Sequence, residues 1–466
     1  MNPVENPPKR VFIQNFGCQM NDYDVERMTE VLRGEGYETA ASAEDADLVV
    51  LNSCSIREKS EHKVQSAAGR LKELKERHPG LVLAVAGCVA QQEGDRLLRR
   101  VPTADFTFGP DQIPSMPALL ARFRESGRRF AATDVIDVED YQFLDARPLP
   151  GDVRVTALVT IQKGCDNHCA YCVVPATRGR EVSRPADEVV AEVARFVALG
   201  AREVTLIGQN VNSYHAIGTP DGDDFAELLR RVDAVPGLRR LRYTTSHPKD
   251  FTDKVAEAHR DLRTLTKFLH LPVQAGSSRT LKRMVRGYTR EEYLRKLDHA
   301  RSLVPDLSLS TDIIVGYPGE TDADFAETMS LLTRVEYDNI YSFGYSERPD
   351  TPALKLKLRD DVPEAVKDAR LQEVQSLQRE ITKRRLGRFV GRTEEVLVEG
   401  QARFGDGQLC GRLSGNEMVN FPAPLGVVRD RLVGELVPVR IVAAGSHTLS
   451  GEYAGVKATR LPVLHA

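Results

Sequence analysis

The chain has 466 residues, of which 41% are hydrophobic and 28% are charged, and its net charge at pH 7 is −3. These values are typical of a globular protein with two to four domains. No apolar run reaches 18 residues, which excludes a membrane-spanning helix. The small net charge excludes the strongly basic proteins whose bulk charge alone indicates a nucleic-acid partner.

Cysteine content and the N-terminus indicate the compartment. Seven cysteines, an odd number, fit a reducing compartment with metal-bound thiolates better than a disulfide framework. Residues 1–8 are polar and rich in proline, and they lack the apolar core of a signal peptide. We therefore expect a cytoplasmic, monomeric protein with no membrane association.

Three short apolar runs near the N-terminus are typical of parallel strands buried on both faces. They cover residues 10–16, 47–52 and 81–86, with helical patterns between them at about 22–35 and 56–77. This alternation predicts a parallel α/β sheet.

Each of these strands is followed within two residues by a cysteine, namely Cys18, Cys54 and Cys88. Ligands bind at the carboxyl edge of open parallel sheets, so we expect the three thiols to converge. The repetition favours an iron–sulfur cluster with three thiolate ligands and one open iron. The alternative is three incidental buried cysteines.

Residues 101–150 carry a weaker pattern. Several prolines and the acidic stretch 134–140 predict a connecting segment, and we place the first domain boundary near residue 150.

A second cysteine group follows at Cys165, Cys169 and Cys172, spaced C-x3-C-x2-C. Seven cysteines in 466 residues form a given three-cysteine pattern by chance only about 0.002 times. Thiolates select iron–sulfur clusters, zinc or copper(I), and three of them suit a four-iron cluster with one iron open to a substrate or cofactor. The alternative is a zinc site with His168 or a remote cysteine as fourth ligand.

Residues 151–389 repeat a strand–helix unit six times. Strands begin near residues 153, 203, 239, 267, 307 and 339, and helical patterns cover 185–199, 223–235, 249–260, 277–303 and 321–335. The repeat predicts a partial (β/α)6 barrel, whose site lies on the loops after the strands. Turn-rich segments fall there: Gly208-Gln209-Asn210, Ser246-His247-Pro248, Gln274-Ala275-Gly276-Ser277 and Gly316 to Glu320.

The last part of the chain holds a charged helix and a β-rich module. The helix at 362–389 is expected to be solvated on one face, and Lys383, Arg384, Arg385 and Arg388 are candidate phosphate contacts. Residues 390–466 show five short strand patterns with glycine turns, which predict a small barrel. Cys410 lies within one of these strands and is not expected to be a ligand.

These motifs carry a family resemblance. The pattern of Cys165, Cys169, Tyr171 and Cys172 resembles the signature of radical S-adenosylmethionine enzymes, and the run from Val173 to Arg184 resembles their methylthiotransferase branch. The segments around Cys18, Cys54 and Cys88 are similar to that family's N-terminal motifs. The segment from Gly411 to Phe421 resembles the nucleic-acid-binding TRAM domain.

The resemblance implies a multidomain α/β protein with three units. These are an N-terminal methylthiotransferase domain at 1–150, a radical S-adenosylmethionine core at 151–389 and a small antiparallel β-barrel, the TRAM-like RNA-binding domain, at 390–466. It implies two 4Fe-4S clusters, an auxiliary one on Cys18, Cys54 and Cys88 and a radical one on Cys165, Cys169 and Cys172. The implied contacts of S-adenosylmethionine are Tyr171, Gly208, Gln209, Asn210, Gln274, Gly316 and Glu320.

The function implied is methylthiolation of N6-isopentenyladenosine in tRNA by a 5′-deoxyadenosyl radical, with the auxiliary cluster carrying the sulfur. Expected partners are tRNA, an external one-electron donor of the flavodoxin or ferredoxin type, and a sulfur source. The alternatives are methylthiolation of threonylcarbamoyladenosine or of a ribosomal-protein aspartate. A protein of another class, a non-catalytic iron–sulfur RNA-binding or electron-transfer protein, is distinguished by forming no 5′-deoxyadenosine.

Overall fold

A computed structural model describes residues 8–55, 58–149, 154–216, 224–403, 405, 407–424 and 428–455. Within these ranges, no helix has the length and apolar character needed to cross a membrane.

A six-stranded sheet forms the N-terminal unit. Its elements are β1 (Lys9–Asn15), α1 (Gln19–Gly34), β2 (Tyr37–Thr39), β3 (Leu48–Ser53), α2 (Glu58–Arg77), β4 (Val82–Gly87), α3 (Cys88–Glu93), α4 (Asp95–Arg100), β5 (Phe106–Phe108), α5 (Met116–Ser126) and β6 (Phe130–Ala132). All neighbouring strands are parallel, in the order β2-β1-β3-β4-β5-β6. Apolar side chains on both faces of β3 and β4 pack into two separate cores, which explains why these runs are continuously hydrophobic.

The predicted connecting segment at 101–150 is wrong for its first part, because β5, α5 and β6 extend the sheet. Each of these two strands is only three residues long, so neither produces a recognisable apolar run. Residues 133–149 then lead towards the central unit without a helix or strand.

The central unit is an open barrel. Its elements are β7 (Thr156–Thr160), β8 (Gln162–Lys163), α6 (Val174–Arg178), β9 (Val182–Ser183), α7 (Ala186–Ala198), β10 (Glu203–Ile207), α8 (Phe225–Asp233), β11 (Arg240–Tyr243), α9 (Asp253–Asp261), β12 (Phe268–His270), α10 (Ser278–Arg283), α11 (Arg290–Leu303), β13 (Ser308–Val315), α12 (Asp322–Val335), β14 (Asn339–Gly344), α13 (Pro352–Lys355) and α14 (Glu364–Gly387).

Two parallel three-stranded sheets, β7-β10-β11 and β12-β13-β14, are joined by a parallel bridge between Leu241 and Leu265. The predicted partial (β/α)6 barrel is therefore confirmed. The helix predicted at 277–303 is two helices, because Val285 and Gly287 have positive φ angles of 56° and 71° and interrupt it. The second of them, α11, begins at a capping box formed by Thr289 and Glu292.

Alternation along the barrel strands creates two faces. Val159, Leu206 and Leu241 are fully buried in the core beneath the surrounding helices. Because successive side chains of a strand point to opposite sides, their neighbours Leu158, Thr205 and Arg242 face the lumen.

Helix α14 is solvated on one face, as predicted, and its other face packs along the barrel. The buried residues of that face form a stripe and recur at spacings of three or four, with one adjacent pair: Lys367, Arg370, Val374, Gln378, Ile381, Thr382 and Leu386. Polar members of the stripe have partners, such as Gln378, which donates to Tyr337 O at 2.8 Å. The stripe escaped detection because most of its residues are polar.

The C-terminal unit is a closed barrel of β15 (Thr393–Gln401), β16 (Gln408–Arg412), β17 (Met418–Pro422), β18 (Leu436–Ala444) and β19 (Thr448–Tyr453), in the order β15-β16-β17-β19-β18. The predicted small barrel is confirmed. One pair, β17–β19, is parallel, whereas the prediction made every pair antiparallel. A closed barrel with an odd number of strands cannot alternate direction at every pair.

This small barrel sits against the amino-terminal ends of the central strands. Arg240, at the start of β11, donates to Arg412 O at 2.5 Å and to Glu395 O at 2.9 Å. Arg242 donates to Leu413 O at 2.9 Å and Ser414 O at 3.0 Å. The opposite, carboxyl end of the open barrel is left for the functional loops.

Candidate active site

The loop between β8 and α6 carries Cys165, Cys169 and Cys172, here called the loop triplet. Cys169 is buried and the other two are half-buried. Gly164, just before the triplet, has a φ of 73°, and a Cβ atom there would lie 1.9 Å from Arg180 O. Glycine is therefore required for the loop to turn back against the chain that follows it.

Each thiol of the loop triplet accepts a hydrogen bond from a nitrogen. The donors are Arg286 Nη1 to Cys169 Sγ at 3.2 Å, Val174 N to Cys172 Sγ at 3.4 Å, and Asn167 Nδ2 to Cys165 Sγ at 3.7 Å. N–H groups directed at sulfur stabilise thiolate charge and set the potential of iron–sulfur clusters. The donor set thus fits a 4Fe-4S cluster.

Electrostatics support the same fit. Burial, together with the nearby Cys169 charge, raises the pKa of Cys165 to about 11 and that of Cys172 to about 12. Three adjacent thiolates are unfavourable without a cation, so the loop favours a bound cationic group.

His168, the alternative fourth ligand for zinc, is exposed. In the described part of the chain, no three His, Cys, Asp or Glu side chains are grouped closely enough to hold a single metal ion.

Cys18, Cys54 and Cys88, here called the N-terminal triplet, meet at the carboxyl edge of the N-terminal sheet. The Cys18 thiol hydrogen bonds with Cys54, which, together with Arg178 and the first backbone N–H groups of α1, lowers the pKa of Cys18 to about 6. Burial raises the pKa of Cys88, and the positive charge of Arg178 opposes that rise. The structure therefore brings together three cysteines that are far apart in sequence.

Arg178 stands beside this triplet although it belongs to the central unit. It lies in α6, six residues after Cys172, and is 6% exposed. Its Nη1 and Nη2 atoms donate to the Asp24 carboxylate at 3.2 and 2.6 Å. Arg178 is not predictable as a site residue from the sequence, because its partner is 154 positions away and no local pattern indicates it.

The segment Gly208-Gln209-Asn210 follows β10 and is held by the side chain of Gln162. Gln162 Oε1 accepts hydrogen bonds from the backbone N–H groups of Gln209 at 3.0 Å and Asn210 at 2.9 Å. Gln209 Oε1 accepts from Gly164 N in the cysteine loop. Within the described residues, buried Gln209 Nε2 and Asn210 Oδ1 have no hydrogen-bond partner, which fits a polar cofactor that supplies one.

The loops after β12 and β13 carry further residues that were predicted to contact S-adenosylmethionine. Gln274, after β12, is buried with a φ of 74°. Gly316, after β13, requires glycine, because its φ is 70° and a Cβ would lie 2.3 Å from Lys367 Cγ. The Glu320 carboxylate accepts from Gly316 N at 2.9 Å and from Arg370 at 2.7 Å, so it shapes this turn. Its contact with a cofactor stays a prediction.

Tyr171 and His247 pack around the loop triplet. Tyr171 OH accepts from Arg286 at 3.1 Å, and His247 Nε2 lies 3.7 Å from Cys169 Sγ. Burial and the charge of Arg286 lower the pKa of His247 to about 2, so the imidazole is neutral, and its Nδ1 accepts from Lys249 N at 3.2 Å. Arg286 was missed from the sequence because it is 117 positions from Cys169.

The lumen below these loops has a polar wall on β12 to β14. His270 bonds with Ser310 Oγ at 2.8 Å, lies 3.7 Å from the Asp312 carboxylate and meets the Tyr341 ring edge-on at 6.0 Å. Tyr341 is 46% exposed, and thus presents an aromatic surface at the open side of the barrel.

The opposite wall is covered by α1 of the N-terminal unit. Met20 and Tyr23 pack with Leu158 and Ile207 of the lumen, and Cys18 lies at the margin of this cluster. The two cysteine triplets are thereby brought to the same end of one barrel.

All three units match known protein families. Residues 10–109 match the uncharacterized protein family UPF0004, residues 159–332 the radical SAM superfamily and residues 387–454 the TRAM domain. Proteins of Paraburkholderia phytofirmans and Burkholderia lata, named tRNA-2-methylthio-N(6)-dimethylallyladenosine synthase, are 46% identical to it over 448 residues, 95% of this chain and 97% of theirs. The chain belongs to this family of radical S-adenosylmethionine enzymes. The resemblance found in the cysteine motifs is confirmed.

Solved structures agree at the level of the fold. A radical S-adenosylmethionine methyltransferase from Kitasatospora setae, solved with tryptophan substrate and a SAM analog, aligns with a TM-score of 0.56 and 16% identity over 74% of this chain and 75% of that chain. At this identity the likeness shows the fold alone.

Proposed function

We propose that this protein installs a methylthio group on N6-isopentenyladenosine, that is N6-dimethylallyladenosine, beside the anticodon of tRNA. The name of its relatives describes them as tRNA-2-methylthio-N(6)-dimethylallyladenosine synthases. The observation that carries the proposal is the placement of two separate cysteine triplets at one end of a single barrel lumen. A protein with one cluster for radical formation and one for sulfur needs this arrangement.

In this proposal, Cys165, Cys169 and Cys172 hold one 4Fe-4S cluster, and Cys18, Cys54 and Cys88 hold an auxiliary one. Three thiolates leave one iron of each cluster open. When bound, these groups and S-adenosylmethionine supply hydrogen abstraction from an unactivated C–H bond and delivery of sulfur, which side chains alone do not perform.

The chain's own residues position and shield these groups. Gln162 fixes the backbone of Gln209 and Asn210, whose free polar atoms then bind S-adenosylmethionine. Tyr171, Gln274, Gly316 and Glu320 shape or contact the same cofactor pocket. The lumen wall with Tyr341 and Asp312 receives the adenine, because an exposed ring offers stacking and a carboxylate accepts an N–H.

We assign the units as residues 1–150, 151–389 and 390–466. The third contacts tRNA, since it is a small closed barrel that matches the TRAM domain. An external one-electron donor and a sulfur source complete the reaction.

The test is anaerobic reconstitution followed by iron counting on three forms of the full chain. Wild type should bind about eight irons, and a triple Cys-to-Ala variant of either triplet about four. The loop-triplet variant should form no 5′-deoxyadenosine. The N-terminal-triplet variant should form it but give no methylthio nucleoside by mass spectrometry of tRNA digests. Four irons in the wild type, or product from either variant, would overturn the proposal.

A further inference from the structure

We propose that Arg178 is a positioning residue that locks the N-terminal triplet to the loop triplet, so that sulfur delivery stays coupled to radical formation. The role of Arg178 rests on the proposed function. The observation behind it is a single buried guanidinium that belongs to the central unit and contacts the N-terminal unit.

Arg178 makes a contact across the boundary between the central and N-terminal units. Arg178 and Asp24 form a two-point ion pair in which both side chains are buried, with 7% and 5% exposed. A two-point contact fixes the plane of the guanidinium as well as its distance. Asp24 lies on α1, the helix whose first turn follows Cys18.

Arg178 also lies near two thiols of the N-terminal triplet. Its positive charge acts to lower the pKa of both Cys88 and Cys18. α6 also packs against α3, the helix that begins at Cys88. One side chain therefore holds the starts of α1 and α3 in place relative to α6.

The helix that carries Arg178 is also linked to the loop triplet. α6 begins two residues after Cys172, and Gly179 O, just past Arg178, accepts a hydrogen bond from Cys165 N at 3.2 Å. A displacement of Arg178 is thus transmitted to both ends of the cysteine loop. Lysine cannot replace it, because an ammonium group lacks the planar fork that makes the two-point contact with Asp24.

A second buried ion pair across the same boundary provides a matched control. Lys163 Nζ donates to Asp111 at 2.7 Å, and both side chains are as buried as the first pair. The other partner of the Asp111 carboxylate is Ile136 N, and Lys163 packs over the Tyr141 ring at 4.0 Å. Asp111→Asn therefore weakens docking of the two units without touching a thiol contact.

The experiment compares Arg178→Lys, Asp24→Asn and Asp111→Asn with wild type in the reconstituted full chain. The quantity measured is methylthio nucleoside formed per 5′-deoxyadenosine. Arg178→Lys should lower this ratio about tenfold, the effect of losing one charged hydrogen bond, whereas Asp111→Asn should keep the wild-type ratio. Should Arg178→Lys fail to fold, Asp24→Asn takes its place with the same expected loss.

Hydrogen exchange provides a second measurement, which does not depend on the clusters. In the protein without iron, hydrogen exchange of α1 and α3 should accelerate in Arg178→Lys, while in Asp111→Asn the acceleration should be confined to the surroundings of residues 110–112. A wild-type ratio in both Arg178→Lys and Asp24→Asn, or an equal fall in Asp111→Asn, would overturn the inference. If wild type itself gives no methylthio nucleoside, the proposed function fails instead.

Discussion

Arg286 donates to four acceptors around the cysteine loop. They are Cys169 Sγ at 3.2 Å, Tyr171 OH at 3.1 Å, Tyr288 OH at 3.0 Å and Pro272 O at 2.8 Å. The side chain is 4% exposed, so its charge acts in a medium of low polarity. A positive group at this position favours added negative charge on the sulfur ligands.

We therefore expect Arg286→Gln to make a cluster on the loop triplet harder to reduce. Its reduction potential should become more negative, and 5′-deoxyadenosine formation should slow by at least about tenfold. Potentiometric titration followed by electron paramagnetic resonance measures the first effect, and product chromatography the second. Arg334→Gln is the control, since the ion pair of Arg334 with Asp298 at 2.9 Å joins two exposed side chains on α12 and α11. An unchanged potential in Arg286→Gln would refute the role of Arg286.

At this scale the sequence predicts some site residues and misses others for a physical reason. Cys165, Cys169 and Cys172 form a local pattern, so their chemistry is visible without a structure. Arg178 and Arg286 act through partners more than 100 positions away. An arginine in the sequence carries no mark of which carboxylate or thiol it will meet.

At the scale of elements, the contact between the open barrel and the small barrel could not be predicted from sequence patterns. The strands of both were predicted closely, β11 to within a residue, because apolar alternation is a local property. Arg240 and Arg242 stand on β11 at positions where a lumen residue is expected, yet they donate to carbonyl groups of the small barrel. Docking of one unit onto another depends on shape, which periodicity does not encode.

Ion pairs with carboxylates of the central unit limit what tRNA can meet at the carboxyl end of α14. Of its four candidate phosphate contacts, Arg384 pairs with Glu336 at 2.5 Å, and Arg385 and Arg388 both pair with Asp338, at 3.0 and 3.2 Å. Lys383 is exposed. Pairing with carboxylates reduces the charge that these arginines offer to phosphate.

Arg242 also joins β11 to the neighbouring strand β10, and its replacement should lower the stability of the protein. It forms an ion pair with Glu203 at 2.9 Å, and the two side chains are only 6% and 5% exposed. Arg242→Met leaves a buried carboxylate without its partner, so the free energy of unfolding should fall by about 3–5 kcal/mol. Denaturant unfolding of the full chain measures it. Adding Glu203→Gln should recover part of the loss, and Arg260→Gln at an exposed ion pair should change nothing measurable.

For the molecule as a whole, the sequence gives the three units and their order, and the structure gives their relation. The small barrel closes the amino-terminal end of the open barrel, and the N-terminal sheet covers one side of the opposite end through α1. Buried polar contacts occur at both boundaries, as at Arg242 with Leu413 O and at Arg178 with Asp24. Buried titratable side chains within the units make stability sensitive to pH.

His259 is a buried histidine that should make the stability of the protein fall at acidic pH. Its Nδ1 donates to Thr266 O at 3.1 Å, and its Nε2 accepts from Tyr243 OH at 2.7 Å. The side chain is 5% exposed, and burial lowers its pKa to about 4. Unfolding returns that pKa to about 6.5, so between these values the unfolded chain binds more protons than the native one. The contribution to stability is complete above pH 6.5 and is lost as the pH falls towards 4, by about 3 kcal/mol in total.

Replacing His259 by Gln should flatten this dependence. The melting temperature of wild type should fall between about pH 6.5 and 5, whereas that of His259→Gln should start lower at neutral pH and fall less over the same interval. Scanning calorimetry at a series of pH values makes the comparison. His78→Gln is the control, because His78 is exposed and its replacement should reproduce the wild-type slope. His270, whose pKa is also lowered by burial, should leave a residual slope in His259→Gln, and a slope equal to that of wild type would show that His259 is not a source of the acid sensitivity.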